Sequence, residues 1–319
     1  MRVLVTGGTG CVGRHALPAL VARGWDVHAV ASRQDPPAVD GVTWHRANLL
    51  DHGAADALVR HVDASHLLHL AWFIAPGKWA EAPQNFEWVE ASLALLRAFR
   101  AAGGARAVTA GSCLEYDWNY GYCSEARTPC APHTLYGTCK HALQLLTTAM
   151  SGHGGFTTAW GRVFFLYGPH EHPDRLVASV VRSLLAGEPA RTSHGNQVRD
   201  YLYAADVAEA FVALLESDVT GPINIASGRA VMLKDIVTRI GQIMGRPDLI
   251  RLGAIPAAPT DVPLVVADTT RLAGLLGWQP RVGLDEGLGK TIEWWRSEGQ
   301  KAEGRRQKAE GSAAVGGRP

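Results

Sequence analysis

Short runs rich in β-branched residues alternate with longer segments of helical period along residues 1–165. The runs are RVLVT (2–6), DVHAVA (26–31), VTWHR (42–46), HLLHLA (66–71), ARAVTA (105–110) and TTAWGRVFF (157–165). Apolar runs separated by helices are the pattern of βα units, whose strands lie side by side in a parallel sheet covered on both faces. In NFEWVEASLALLRAFRAAGG, Phe86, Val89, Leu93, Leu96 and Phe99 recur at three- and four-residue steps. That spacing predicts a helix with one apolar face, closed by Gly103 and Gly104. Pro18 falls inside the first helical segment, where its missing N–H predicts a broken hydrogen bond or a kink.

Beyond residue 168 the pattern loosens. YGPHEHPD (167–174) is turn-rich, RLVASVVRSLLAG (175–187) and LKDIVTRIGQIMG (233–245) are helical, and IPAAPTDVP (255–263) is rich in proline. The expected organisation is an α/β fold with a doubly wound parallel sheet over residues 1–167. A smaller, less regular unit should span 168–296, with some segments returning to the sheet. The polar, Gly-rich stretch 297–319 contains QKAEG twice and reads as a disordered tail.

Composition narrows the function classes. With 319 residues, 47% of them apolar, and a formal charge of +1, the chain can bury a substantial core but offers no general field for nucleic acid or an anionic bilayer. No segment reaches the ~18–20 continuous apolar residues of a membrane span, and the N-terminus lacks a signal-peptide pattern. The five cysteines are odd in number and lack CxxC spacing, so neither a disulfide framework nor a zinc site is expected. His170, Glu171 and His172 are all metal-capable, but the two histidines, separated by one residue on a Pro-flanked loop, lack a third ligand and the helical spacing of a zinc enzyme. The expectation is a cytoplasmic protein with no metal, recognising a small molecule.

VTGGTGCVG places Gly7, Gly10 and Gly13 directly after the first strand and at the start of a helix. A Gly-rich turn there lets backbone amides approach a pyrophosphate, where the helix dipole favours anions. The second strand ends at Ala31, Ser32 and Arg33, without the acidic residue that would bind the ribose hydroxyls of NAD. A hydroxyl and a guanidinium suit the extra phosphate of NADP, and Arg14 adds a second positive charge. Ser112 stands at the carboxyl end of the fifth strand, and Tyr136 and Lys140 are four apart on the helix that follows.

Eight stretches occur in a specific order: TGGTGCVG, HLAW (69–72), GSCLEY (111–116), YGTCK (136–140), GRVFFLYGP (161–169), RDYLYAADVAEA (199–210), NIASG (224–228) and LGWQP (276–280). In them the chain resembles the extended branch of the short-chain dehydrogenase/reductase superfamily, the nucleotide-sugar epimerases, dehydratases and ketoreductases, over roughly residues 1–296. The resemblance implies a Rossmann-type sheet binding NADP(H) in preference to NAD(H). Cofactor contacts would come from Gly7, Gly10, Cys11, Val12, Gly13, Arg14, Ser32, Arg33, Asn48, Leu49, Leu70, Ala71, Tyr136 and Lys140. Tyr136 would exchange the proton, Lys140 would lower the phenol's pKa and hold the ribose, and Ser112 would position the reacting oxygen. Trp72, Cys113, Phe165 and Arg199 would line the substrate. The helices near 85–102 and 136–150 would pair two copies into a homodimer.

Departures from the family pattern narrow the reaction. Cys113 and Leu114 stand where dehydratases place their acid and base, and Glu115 is one step displaced. Phe165 replaces an asparagine that meets the diphosphate, and Ala257 and Ala258 stand where an arginine is common. Arg199 remains as a phosphate ligand, and Asp206 reads as a helix cap. The resulting expectation is an NADP-dependent ketoreductase of a 4-keto-6-deoxyhexose nucleotide, as in deoxysugar biosynthesis. The alternatives are a nucleotide-sugar 4-epimerase with bound NAD, a reductase of a non-nucleotide carbonyl compound, and a non-catalytic NADP-sensing regulator.

Overall fold

The computed structural model describes residues 1–75, 77–152, 155–258 and 261–315, with side chains through residue 301. The first half runs β1 (Arg2–Thr6), α1 (Cys11–Ala22), β2 (Asp26–Ala31), β3 (Val42–Arg46), α2 (Ala54–Val62), β4 (His66–His69), α3 (Gln84–Ala101), β5 (Arg106–Ser112), β6 (Tyr122–Cys123), α4 (Leu135–Met150) and β7 (Thr157–Val163). It continues through β8 (Phe165–Tyr167), α5 (Leu176–Leu185), β9 (Ala190–Arg191), β10 (Val198–Tyr203), α6 (Ala204–Leu215), β11 (Gly221–Ile225), β12 (Ala230–Met232), α7 (Leu233–Ile243), β13 (Ile250–Arg251), β14 (Leu264–Ala267), α8 (Thr270–Leu276) and α9 (Leu284–Val315).

Seven strands form the main sheet in the order β11-β7-β5-β4-β1-β2-β3, every neighbouring pair parallel. Winding proceeds from β1 to β3 in one direction, then restarts at β4 on the other side of β1. The carboxyl ends of β1 and β4 therefore border a crevice at a topological switch point, where open α/β sheets bind ligands. One face is closed by Leu17 and Leu20 of α1 against Phe211, Val212 and Leu215 of α6. The other is closed by Leu58, Leu95, Phe99 and Leu143 of α2, α3 and α4. β11 is a late return to this sheet. A second sheet runs β12-β10-β14-β6 with β8 beside β10. Its helices α5, α7 and α9 pack through Val181, Ile236, Ile240, Leu288 and Ile292.

Several local expectations are corrected. The run 157–165 is two strands: β7 ends at Val163, Phe164 donates its N–H to Ile225 O, and β8 leaves for the second sheet beside β10. α1 runs on as a helix across Pro18, whose missing N–H leaves one helical hydrogen bond unmade as expected, while the buried Ala16, Leu17 and Leu20 hold the helix against α6. In α3 the apolar positions split: Leu96 and Phe99 enter the core, whereas Phe86 is 57% exposed and Val89 and Leu93 are half-buried. Asp206 accepts the N–H groups of Arg281 and Val282, at 3.1 and 2.9 Å, so it fixes the chain ahead of α9 and does not cap α6. The segment read as a disordered tail is helical as far as Val315, consistent with its Lys, Glu, Arg, Gln and Ala content. Among the described residues no helix is long and apolar enough to cross a membrane.

Candidate active site

The loop from β1 to α1 is shaped for close approach. Gly7 has φ +72°, and a Cβ there would lie 2.7 Å from Leu70 C and Ala71 N; a Cβ on Gly13 would lie 2.2 Å from Gly7 O. Only glycine tolerates both demands. No side chain caps the first turn of α1 and no acidic residue stands in it, so the positive end of the helix remains available to an anion. Gly10 stands at the N-cap, and Cys11, Val12 and Gly13 form the first turn. Arg14 folds back, its Nε donating to Thr9 O at 3.1 Å. Ser32 and Arg33 are exposed just past β2. Leu70 and Ala71 back Gly7, Leu49 is buried, and Asn48 is exposed with its amide on Asp51. These residues fit a dinucleotide.

Ser112 is the last residue of β5. Its Oγ accepts the N–H of Leu114 at 3.2 Å, while Glu115 Oε1 accepts the N–H of Ser112 at 2.8 Å, a reciprocal capping box that curls residues 113–115 into a 3₁₀ turn. Glu115, fully buried, also accepts from Trp160 Nε1 and Arg162 Nε, both at 2.8 Å. Its carboxylate is thus consumed in structure. Glu115, expected only as a displaced carboxylate, has a role that the sequence reading missed; the signal was the S-x-x-E spacing itself.

α4 starts at the N-cap Thr134, whose Oγ1 accepts from Gly137 N at 3.1 Å. A Cβ on Gly137 would lie 2.3 Å from Leu114 O, so α4 presses directly on the turn after Ser112. That contact brings Tyr136 to Ser112, whose side chain hydrogen-bonds the phenol. Lys140, one turn on, donates from Nζ to Ala110 O at 2.7 Å. Burial pushes the phenol's pKa up, against the pull of the Ser112 hydrogen bond. Burial likewise brings Lys140 down to about 7, partly opposed by Glu115. The expected lowering of the phenol by Lys140 is corrected: desolvation wins, and Ser112 supplies the opposing interaction. Trp79 and Trp72 set their rings edge-on to Tyr136, at 5.0 and 6.3 Å between centroids.

Residues 3–226 match the model of the NAD dependent epimerase/dehydratase family. This chain belongs to that family. Among curated relatives, UDP-glucuronic acid decarboxylase 1 of Xenopus tropicalis is 25% identical, covering 93% of this chain and 72% of its own length. UDP-glucose 4-epimerase of Mycolicibacterium smegmatis is 27% identical, covering 94% of this chain and all of its own, 100%. A solved structure of MoeE5 in complex with UDP-glucuronic acid and NAD is 30% identical with a TM-score of 0.81, covering 93% of this chain and 100% of that one.

In this epimerase/dehydratase family member the residues assigned to the substrate side do not present a free phosphate clamp. Arg199 is 3% exposed, ion-paired to Asp261, and donates to Val262 O at 2.8 Å. Its guanidinium lies 5.5 Å from the Phe165 ring and 5.8 Å from that of Trp118. Cys113 is buried beneath, its thiol pushed up by desolvation. Trp72 lies beside Lys140. Glu171, set aside in the sequence as a metal ligand, is buried, carries an Oε2 without a partner among the described residues, and is pushed up to about 8 by burial.

Proposed function

We propose that this chain is an NADP-dependent ketoreductase acting on a keto sugar nucleotide of the 4-keto-6-deoxyhexose type. The observation that carries the cofactor and direction is the tip of β2. Past Ala31 the chain offers Ser32 and Arg33, exposed and without an ion pair among the described residues, where an acidic side chain would repel a ribose phosphate. NADPH is a reductant, and a reductase must exchange it at every turnover.

The side chains suit reduction. Gly7, Gly10 and Gly13 give the pyrophosphate backbone access, and Arg14, Ser32 and Arg33 would hold the phosphate of the adenosine end. When bound, the nicotinamide supplies the hydride. Tyr136, kept protonated by burial, is a proton donor to the oxygen that gains charge, and Ser112 orients both phenol and carbonyl. Lys140 would anchor the cofactor ribose one turn away. Water elimination lacks its acid and base, since Leu114 has no ionisable group and burial raises the pKa of the Cys113 thiol well above its ordinary value. The relatives that bind or act on nucleotide sugars support that substrate class.

A second reading, a 4-epimerase retaining NAD, is favoured by the NAD in MoeE5 and by the 4-epimerase relative. Deuteride-labelled NADPH separates the two. A reductase consumes one NADPH per product and leaves deuterium on the former carbonyl carbon. Interconversion of sugars without net NADPH oxidation would overturn the reductase reading in favour of the epimerase.

The outer faces of α3 and α4 support a homodimer. Phe86, Leu145 and Leu146 are 57%, 55% and 44% exposed. A groove of about 550 Å³ runs between the helices past Leu93, Arg97, Leu146 and Met150. A second copy laying the same two helices here would form an isologous interface.

A further inference from the structure

Lys140 is buried, and no carboxylate pairs with its ammonium among the described residues. Beyond the carbonyl of Ala110, its nearest electron-rich neighbour is the indole of Trp72, with Nζ 3.7 Å from a ring centroid. That indole is fixed from its far edge. Trp72 Nε1 donates to Asn85 Oδ1 at 2.8 Å, and Asn85, fully buried at the start of α3, donates from Nδ2 to Trp79 O and Ala82 O at 2.7 and 2.9 Å. One amide side chain therefore ties the loop after β4 to α3 and sets the plane on which the ammonium rests.

The other groups facing Lys140 do less for its charge. Glu115, from the turn after β5, is bonded to Arg162 of β7, which offsets its field. His69 of β4 is kept neutral, brought down to about 3 by burial and by Lys140, and is held between Thr6 Oγ1 at 2.6 Å and Ser92 Oγ at 2.8 Å. The Tyr136 and Trp160 rings lie farther off, at 5.9 and 6.0 Å.

We propose that Trp72 is a positioning residue for Lys140: its Asn85-pinned indole face holds the ammonium over β5, charged and in register with Tyr136, through a cation–π contact. This goes beyond contact with substrate and rests on the reading of Lys140 as the cofactor-anchoring lysine only for its catalytic consequence. A desolvated cation over indole is strongly favoured, whereas an aliphatic side chain in the same place excludes water without replacing the attraction.

The chain has six lysines, so ¹³Cε resonances of lysine-labelled, cofactor-free protein can be followed one by one, with Lys140→Arg assigning the signal. Trp72→Leu and Trp72→Phe both lose the bond to Asn85, but only the leucine loses the aromatic face. The Lys140 titration midpoint should fall by about one pH unit in Trp72→Leu, because the charged form loses its partner, and should stay near the wild-type value in Trp72→Phe. Should Trp72→Leu fail to fold, Trp72→Met makes the same comparison. Equal midpoints in the leucine, or methionine, and phenylalanine variants would reduce Trp72 to packing and overturn the proposal. The titration needs no turnover, so a chain that never oxidises NADPH would sink the reductase reading while leaving this result standing.

Discussion

Glu115 lies in the turn after β5 and Tyr136 on the helix that presses against it, yet the two should respond differently to mutation. The phenol acts as charge develops in the transition state, so Tyr136→Phe should cut turnover by ~10²–10⁴ while cofactor affinity stays nearly intact. A variant with unchanged turnover would show that another group protonates the product. Glu115→Ala should instead act on stability, leaving Arg162 charged and buried without its partner at 2.8 Å. Breaking such a pair costs about 3–5 kcal/mol, and urea unfolding that placed the variant within 1 kcal/mol of wild type, against about 3 expected, would refute the structural role. Glu171 gives a pH signature. Burial raises its carboxyl from 4.5 to about 8, so the folded state retains a proton that the unfolded state releases. The cost of burying it is absent below about pH 4.5 and grows as pH rises toward 8. Glu171→Gln should therefore become progressively more stable than wild type over that window, and a difference independent of pH would contradict the assignment.

At the scale of elements, α3 divides its apolar positions between core and surface where periodicity suggests one stripe. Leu95, Leu96 and Phe99 fill the core, whereas Phe86 is exposed, Val89 is half-buried, and Leu93 lines a groove shared with Leu146 of α4. The arrangement predicts that Leu146→Glu converts a dimer to a monomer, because two like charges would meet across a two-fold axis. Light scattering at micromolar concentration checks this, and a wild-type protein that is already monomeric would dispose of the interface. The turn after β5 is also an element-scale device. Ser112 is delivered by a strand, Tyr136 by a helix, and the absence of a side chain at Gly137 lets the two meet.

For the molecule as a whole, binding of the proposed cofactor would couple to folding. A ligand that binds only the native state stabilises it by about 2.7 kcal/mol at a hundredfold excess over its Kd. NADPH should raise the melting temperature of the wild-type protein more than equimolar NADH does, and Arg33→Ala should abolish the difference by weakening NADPH alone. Equal losses for the two cofactors would remove Arg33 from phosphate recognition. The measurement reads the entire cleft, because the β1–α1 loop, the tip of β2 and the carboxyl end of β4 all border it.

Sequence by itself determined the βα alternation, the glycine-lined loop and the order of Ser112, Tyr136 and Lys140, since each follows from local periodicity or from a turn that only certain residues can make. The capping box at Ser112 and Glu115 was equally local and was there to be read. Tertiary structure alone decided the rest. Strand β8 left the main sheet because its partner, β10, lies more than thirty residues on. α1 ran on through the exposed Pro18 because its buried residues pack against α6, and Arg199 closed on Asp261 rather than standing free. The balance at Tyr136 and Lys140 was likewise beyond any spacing rule. Charge proximity can be guessed from a helical turn, but desolvation depends on every element that packs over the group, and here it outweighs the neighbouring charges.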